Sequence, residues 1–242
     1  MNIKHITINN IEEYTPLTTP VLYITSDRNV ADSLTSKGEA VCICVYDEEQ
    51  LSAFEGYKYF ITEGVQYSGH LDMVYCHIRN IPYVIAENDD FLIREERPED
   101  LPKIYEMYED EECKRFLEPL PELSGDFTPE ARFESVKNSY MLFGYGMWII
   151  ESKKTNEVIG RVGFEYYDEN TVSLGFMIRA DKRGKGYAEA AVILCIGYLE
   201  NTLPETKIVA NVCIDNISSL YLLNKISKVF PKKINIIIIN KH

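Results

Sequence analysis

The sequence predicts two domains of different class: a small parallel α/β domain over residues 1–90 and an α+β domain, a mixed sheet flanked by helices, over residues 91–242. Three observations predict this. Residues 20–90 alternate short apolar runs with helical ones. From residue 91 the strand-like runs cluster between helices, an α+β pattern. The charged stretch AENDD at 86–90 separates the two patterns and reads as a linker.

In the first domain VLYITS, AVCICVY, YKYFITE and PYVIA read as strands, with NVADSLTSKG, DEEQLSAF and GHLDMVYCHIRN as the helices between them. Continuously apolar strands belong to a sheet covered on both faces, so the expected layering is three-layer and Rossmann-like. No glycine-rich phosphate loop follows VLYITS, where DRN stands, so no nucleotide site is expected there. Asp27 in TSDRN lacks the second aspartate of a D-x-D phosphatase pair and reads as a helix N-cap. His70 and His77 share a helix face with no third ligand in view.

In the second domain FLIREE reads as a strand and RPEDLPKIYEMYEDEECKRFL as one helix, with Leu101, Ile104, Tyr105 and Tyr108 at helical spacing. TPEARFESVKNSYMLFGY is a further helix, opened by Thr128 as N-cap with Pro129 at the first helical position. GMWIIESKKTNEVIGRVGFEYYDENTVSLGFMI reads as three antiparallel strands joined by the polar turns SKKTNE and DENT. A helix over 188–201, a strand over 207–212 and a helix from 216 follow.

Composition narrows the function. A net charge of -13 and a pI near 4.8 oppose nonspecific binding to nucleic acid or to an anionic membrane. No run approaches the ~18 apolar residues of a membrane span, and the N-terminus lacks the apolar core of a signal peptide, so a cytoplasmic location is expected. The six cysteines lie in apolar runs as reduced core residues, and none stands at zinc-site spacing, so no metal is expected.

Against this acidic background GFMIRADKRGKGYAEAAVIL, residues 175–194, places a basic glycine loop between a strand and a helix start. A helix N-terminus leaves its first amides unpaired and carries partial positive charge. Gly184 and Gly186 let an anion approach the backbone, and Arg183 and Lys185 add charge, which favours a phosphate or pyrophosphate. The loop follows SLGFMI, and NISSLYLL follows the next strand.

These motifs, in this order, resemble the GNAT family of N-acetyltransferases, whose signature Q/R-x-x-G-x-G/A stands at such a strand-to-helix junction; the resemblance covers residues 91–226. It implies acetyl-CoA as cosubstrate, with its pyrophosphate on the backbone of Arg183, Gly184, Lys185, Gly186, Tyr187 and Ala188. It implies that Met177 and Ile178 lie on the strand that pairs with the pantetheine arm, and that Asn216 and Ser219 open the helix beside the cofactor.

The departures are specific. Asp181 stands at the first signature position, and Leu223 stands where many members carry a thiolate-protonating tyrosine, with Tyr221 expected on nearly the opposite helix face. Ser173 replaces a common glutamate, which leaves Glu165 as the candidate general base, with Tyr166 or Tyr167 facing the cleft. Ser227 replaces a glycine, and ISKVFPKKINIIIINKH has room for one strand where the family has a hairpin, so a shortened C-terminus is expected. An exposed edge of this kind suits a homodimer.

The expected function is transfer of an acetyl group to an amine-bearing small molecule or a protein N-terminus, by direct attack in a ternary complex. The acidic surface favours a cationic acceptor. The missing groups point to an alternative, a noncatalytic CoA-binding or regulatory protein.

Overall fold

Every residue of β2 (Val21–Thr25) is buried, as a strand covered on both faces requires. In this computed structural model, which describes residues 2–62, 68–117, 120, 128–231 and 233–240, β2 lies between β1 (Lys4–Thr7) and β3 (Ala40–Val45). With β4 (Phe60–Thr62) they form a parallel sheet in the order β1-β2-β3-β4. Side chains alternate between two cores. Tyr23, Val41 and Ile43 pack with Val30, Ala31 and Leu34 of α1 (Arg28–Ser36), while Leu22, Ile24 and Cys42 pack with Leu71 and Val74 of α2 (Ser68–Ile78).

The expected three layers are therefore present. DEEQLSAF, read as a helix, forms a 3-10 helix over Glu48–Phe54. The strand order never reverses, so no switch-point crevice opens at the carboxyl ends of the strands. Asp27 caps α1, its carboxylate accepting from the amides of Asn29 and Val30 at 2.8 and 3.0 Å. No cluster of potential metal ligands occurs among the described residues, and none of their helices is long and apolar enough to cross a membrane.

The chain divides into two compact units, Met1–Tyr83 and Val84–His242. One expected boundary is corrected. β5 (Val84–Glu87), read from PYVIA as the last strand of the first domain, pairs antiparallel with β6 (Phe91–Arg94). AENDD is thus a hairpin connection: the Asn88 side chain accepts from the amides of Asp90 and Phe91 at 2.9 Å each, a local bond that favours a turn.

The second unit holds a seven-stranded sheet in the order β11-β10-β9-β8-β7-β6-β5. β7 (Met147–Ser152), β8 (Val158–Asp168) and β9 (Thr171–Ile178) continue the antiparallel run, whereas β10 (Lys207–Cys213) and β11 (Ile234–Ile239) are parallel to their neighbours. The expected mixed sheet is present. Its core centres on the fully buried Trp148, whose ring meets Phe164 and Tyr198 edge-on, with α6 (Tyr187–Thr202) contributing Val192, Cys195, Ile196 and Leu199.

The helix read over RPEDLPKIYEMYEDEECKRFL is broken in two, α3 (Leu101–Tyr108) and α4 (Glu111–Phe116). Asp110 is the cause: it sits in extended backbone and its carboxylate accepts from the Cys113 amide at 3.2 Å, capping a new helix. α5 (Pro129–Phe143) starts at Thr128 as expected. INIIII forms β11 at the edge of the sheet, with Ile238 and Ile239 exposed.

Candidate functional site

β9 and β10 are paired only from Thr171 with Lys207 to Ser173 with Val209. Beyond that point both strands continue and separate. Leu174–Ile178 keep their partners on β8 and turn their other edge to the gap.

At the end of the gap Gly184 and Gly186 adopt φ of 75° and 82°, the left-handed region that glycine enters without steric cost. A Cβ on either would meet nothing within 4 Å. The glycines are therefore required by conformation, and the backbone stands open. α6 starts immediately after with no side-chain cap, so its first amides are available to an anion.

Gap, loop and helix start border a cavity of about 460 Å³. Met177, Ile178, Arg183, Gly184, Gly186, Tyr187 and Ala188 line it, and so do Asn216 and Ser219 from the start of α7 (Ile217–Val229). Lys185 is exposed and lies outside this lining. Asn216 caps α7 by accepting from the Ser219 amide at 3.1 Å.

Two details differ from the sequence reading. Leu223 is buried in the core, whereas Tyr221, expected to face away, is 75% exposed and lines the cavity beside Leu222. α7 thus presents 218, 219, 221 and 222 to the cavity and 223 and 226 to the core.

The second detail is the Arg183 side chain. It does not stand free for a phosphate. Nη1 donates to Glu112 and Nη2 to Asp110, both at 2.6 Å, and Nε donates to the Ile178 carbonyl at 3.0 Å. The Arg183 guanidinium holds the Asp110 carboxyl below its ordinary value. Glu112, Cys113 and Phe116 of α4 also line the cavity, and burial pushes the Cys113 thiol up to about 11, which keeps it protonated at neutral pH.

On the other side of β8 lies a second cavity of about 310 Å³. Glu165 and Tyr166 line it, and the Tyr166 ring stacks on Phe143. Its floor was not legible from the sequence. Arg132 of α5 and Arg161 of β8, both buried, donate to one carboxylate, that of Glu96, whose side chain is fully buried. Burial raises the Tyr108 hydroxyl, which lies within the fields of Arg161, Glu165 and Arg132. These residues are far apart in sequence, and no motif links them.

The family whose model matches is described as an acetyltransferase (GNAT) domain, over residues 90–227. An uncharacterized protein of Bacillus subtilis (strain 168), YkkB, is 28% identical over 95 residues, 38% of this chain and 55% of that protein. The chain therefore spans about half the length of that curated relative. An acetyltransferase structure from Agrobacterium tumefaciens str. C58 is 21% identical, covering 58% of this chain and 81% of its own, with a TM-score of 0.50. A spermidine N-acetyltransferase from Vibrio cholerae, solved with CoA and spermine, is 18% identical over 57% of this chain and 80% of its own, with a TM-score of 0.47. With a family match over more than half its length, and a mixed sheet whose strands separate beside a glycine-started helix, this chain belongs to the GNAT acetyltransferase family, which uses acetyl-CoA.

Proposed function

We propose that the second unit transfers an acetyl group from acetyl-CoA to an amine by direct attack in a ternary complex. The observation that carries this reading is the separation of β9 from β10 beside the uncapped start of α6. One edge of β9 offers unused main-chain groups to an extended amide arm, as in strand addition by a ligand, and the helix start offers amides to a pyrophosphate.

Acetyl-CoA supplies a thioester carbonyl open to attack. Gly184, Gly186, Tyr187 and Ala188 hold its phosphates by main chain, whereas the Arg183 amide already donates to the Ala180 carbonyl at 3.4 Å and its side chain braces α4, so Arg183 shapes the loop. Lys185 adds charge from outside the lining. Met177 and Ile178 meet the arm, although Arg183 Nε already occupies the Ile178 carbonyl. Asn216 and Ser219 fix the near end of α7 beside it.

Glu165 takes the proton of the incoming ammonium. A C–N bond then forms at the acetyl carbon and the C–S bond breaks; the nitrogen gives its second proton to water, and water returns one to the departing thiolate, because Leu223 offers none. The acceptor is an amine-bearing small molecule or a protein N-terminus. Replacing Glu165 by Gln lowers the rate of amine-dependent thiol release by about 100-fold with acetyl-CoA affinity unchanged. An undiminished rate removes Glu165 from this role.

The burial of Leu223 favours a second reading, a noncatalytic CoA-binding protein. Amine-dependent thiol release by the full chain contradicts it.

A further inference from the structure

The second cavity holds a cation that the protein leaves underused. Arg161 is 3% exposed and lines the cavity. Its guanidinium carries five N–H donors, yet its side chain makes one hydrogen bond among the described residues, from Nη2 to Glu96 at 3.3 Å. Nε is buried with no partner. Buried donors are ordinarily paired, so an unpaired one on a residue that lines a cavity calls for an acceptor such as a ligand can bring.

Arg132 and Arg161, which both line the cavity, converge on the buried Glu96 carboxylate. Glu165, four residues further along β8, is exposed at the same cavity. Phe143, Tyr145, Phe164 and Tyr166 line the same cavity. The volume of about 310 Å³ sits at the lower end of the range for small-molecule sites, about 300–1,000 Å³.

We propose that this cavity takes an amine that also bears a carboxylate, a short zwitterion with an apolar body: the carboxylate accepts from Arg161 and the ammonium faces Glu165. The net charge of -13 acts at long range and is screened by salt within about 8–10 Å. The desolvated guanidinium acts at contact, where a fork of parallel donors suits a carboxylate. It therefore decides the ligand, against the cationic acceptor that the overall charge favours. Cα atoms four residues apart on a strand are separated by about 13 Å, and two long side chains shorten that span, so amine and carboxylate need not share one carbon. This assignment rests on the acetyltransferase reading for the fate of the amine, but not for the binding of the carboxylate.

The test is calorimetric titration of matched pairs into the full chain: L-phenylalanine against phenethylamine, 5-aminopentanoate against pentylamine, and spermidine alone. The expected result is that each carboxylate-bearing probe binds at least about tenfold tighter than its partner and than spermidine. Arg161→Lys, which keeps the charge and loses the fork, should reduce the preference several-fold. If that variant does not fold, the matched pairs on the natural chain decide. Equal or tighter binding of the plain amines or spermidine overturns the proposal, and so does the absence of binding by every probe at millimolar concentration. Zwitterion binding without thiol release from acetyl-CoA keeps the carboxylate site and removes the acetyltransferase reading. Thiol release with no preference between pair members does the reverse.

Discussion

The two cavities that flank β8 and β9 are built from different materials. The first is mainly main chain: a strand edge released where β9 parts from β10, and amides released where α6 starts without a cap. The second is mainly side chain: two buried arginines from α5 and β8 on one glutamate after β6. A main-chain site tolerates most substitutions except those that change backbone conformation. A buried charge cluster tolerates few, because removing one member strands the others.

Glu96→Ala probes that difference most severely. It leaves two buried guanidiniums without their shared carboxylate, and urea unfolding should register a loss of about 3–5 kcal/mol. A loss below ~1 kcal/mol would equate the cluster with a surface pair and erase the contrast.

On the main-chain side, Gly186→Val forces a branched residue to φ of 82°, at a cost of about 1–2 kcal/mol, and should weaken acetyl-CoA binding by about tenfold or more. Lys185→Ala, at an exposed neighbour, should change that affinity by less than about threefold. Equal losses in the two variants would mean that charge, not backbone, makes the site.

Asp110→Asn has a smaller effect, because the pair with Arg183 is partly exposed, with 25% and 32% of the two side chains accessible. We expect about 0.2–1 kcal/mol at neutral pH. The Asp110 carboxyl is held low in the folded chain by Arg183, so its contribution is fully present above the ordinary carboxylate value. It is lost as pH falls through the folded value. The stability difference between natural chain and variant should close on acidification, and a difference that widens would assign the wrong partner. The smallest effect is predicted for Tyr221→Phe, less than about twofold on thiol release, against the 10²–10⁴ typical of a general acid.

The legibility of the sequence follows the same division. A left-handed glycine at a helix start leaves a local signature, and Gly184, Gly186 and the apolar runs around them were readable for that reason. Asp27 and Thr128 were readable as caps because capping is local too. Arg161 beside Glu96 was not, since the two are 65 residues apart and meet only through the pairing of distant strands. Local signals also misled. RPEDLPKIYEMYEDEECKRFL has helical spacing throughout, but Asp110 captures an amide and restarts the helix, which positions α4 to receive Arg183. The Arg183 charge, read as ligand-directed, is consumed by Asp110 and Glu112, whose approach depends on that break. AENDD has the composition of a linker, and only strand pairing reveals it as a hairpin connection.

The central claim is that main-chain groups between β9 and α6 form the acetyl-CoA site. The most direct test is calorimetric titration of acetyl-CoA into the full chain beside Gly184→Glu, which adds bulk and negative charge at a residue whose φ is 75°. The natural chain is expected to bind acetyl-CoA and the folded variant to have lost that binding. Undiminished binding by the variant, or none by a well-folded natural chain, would contradict that claim.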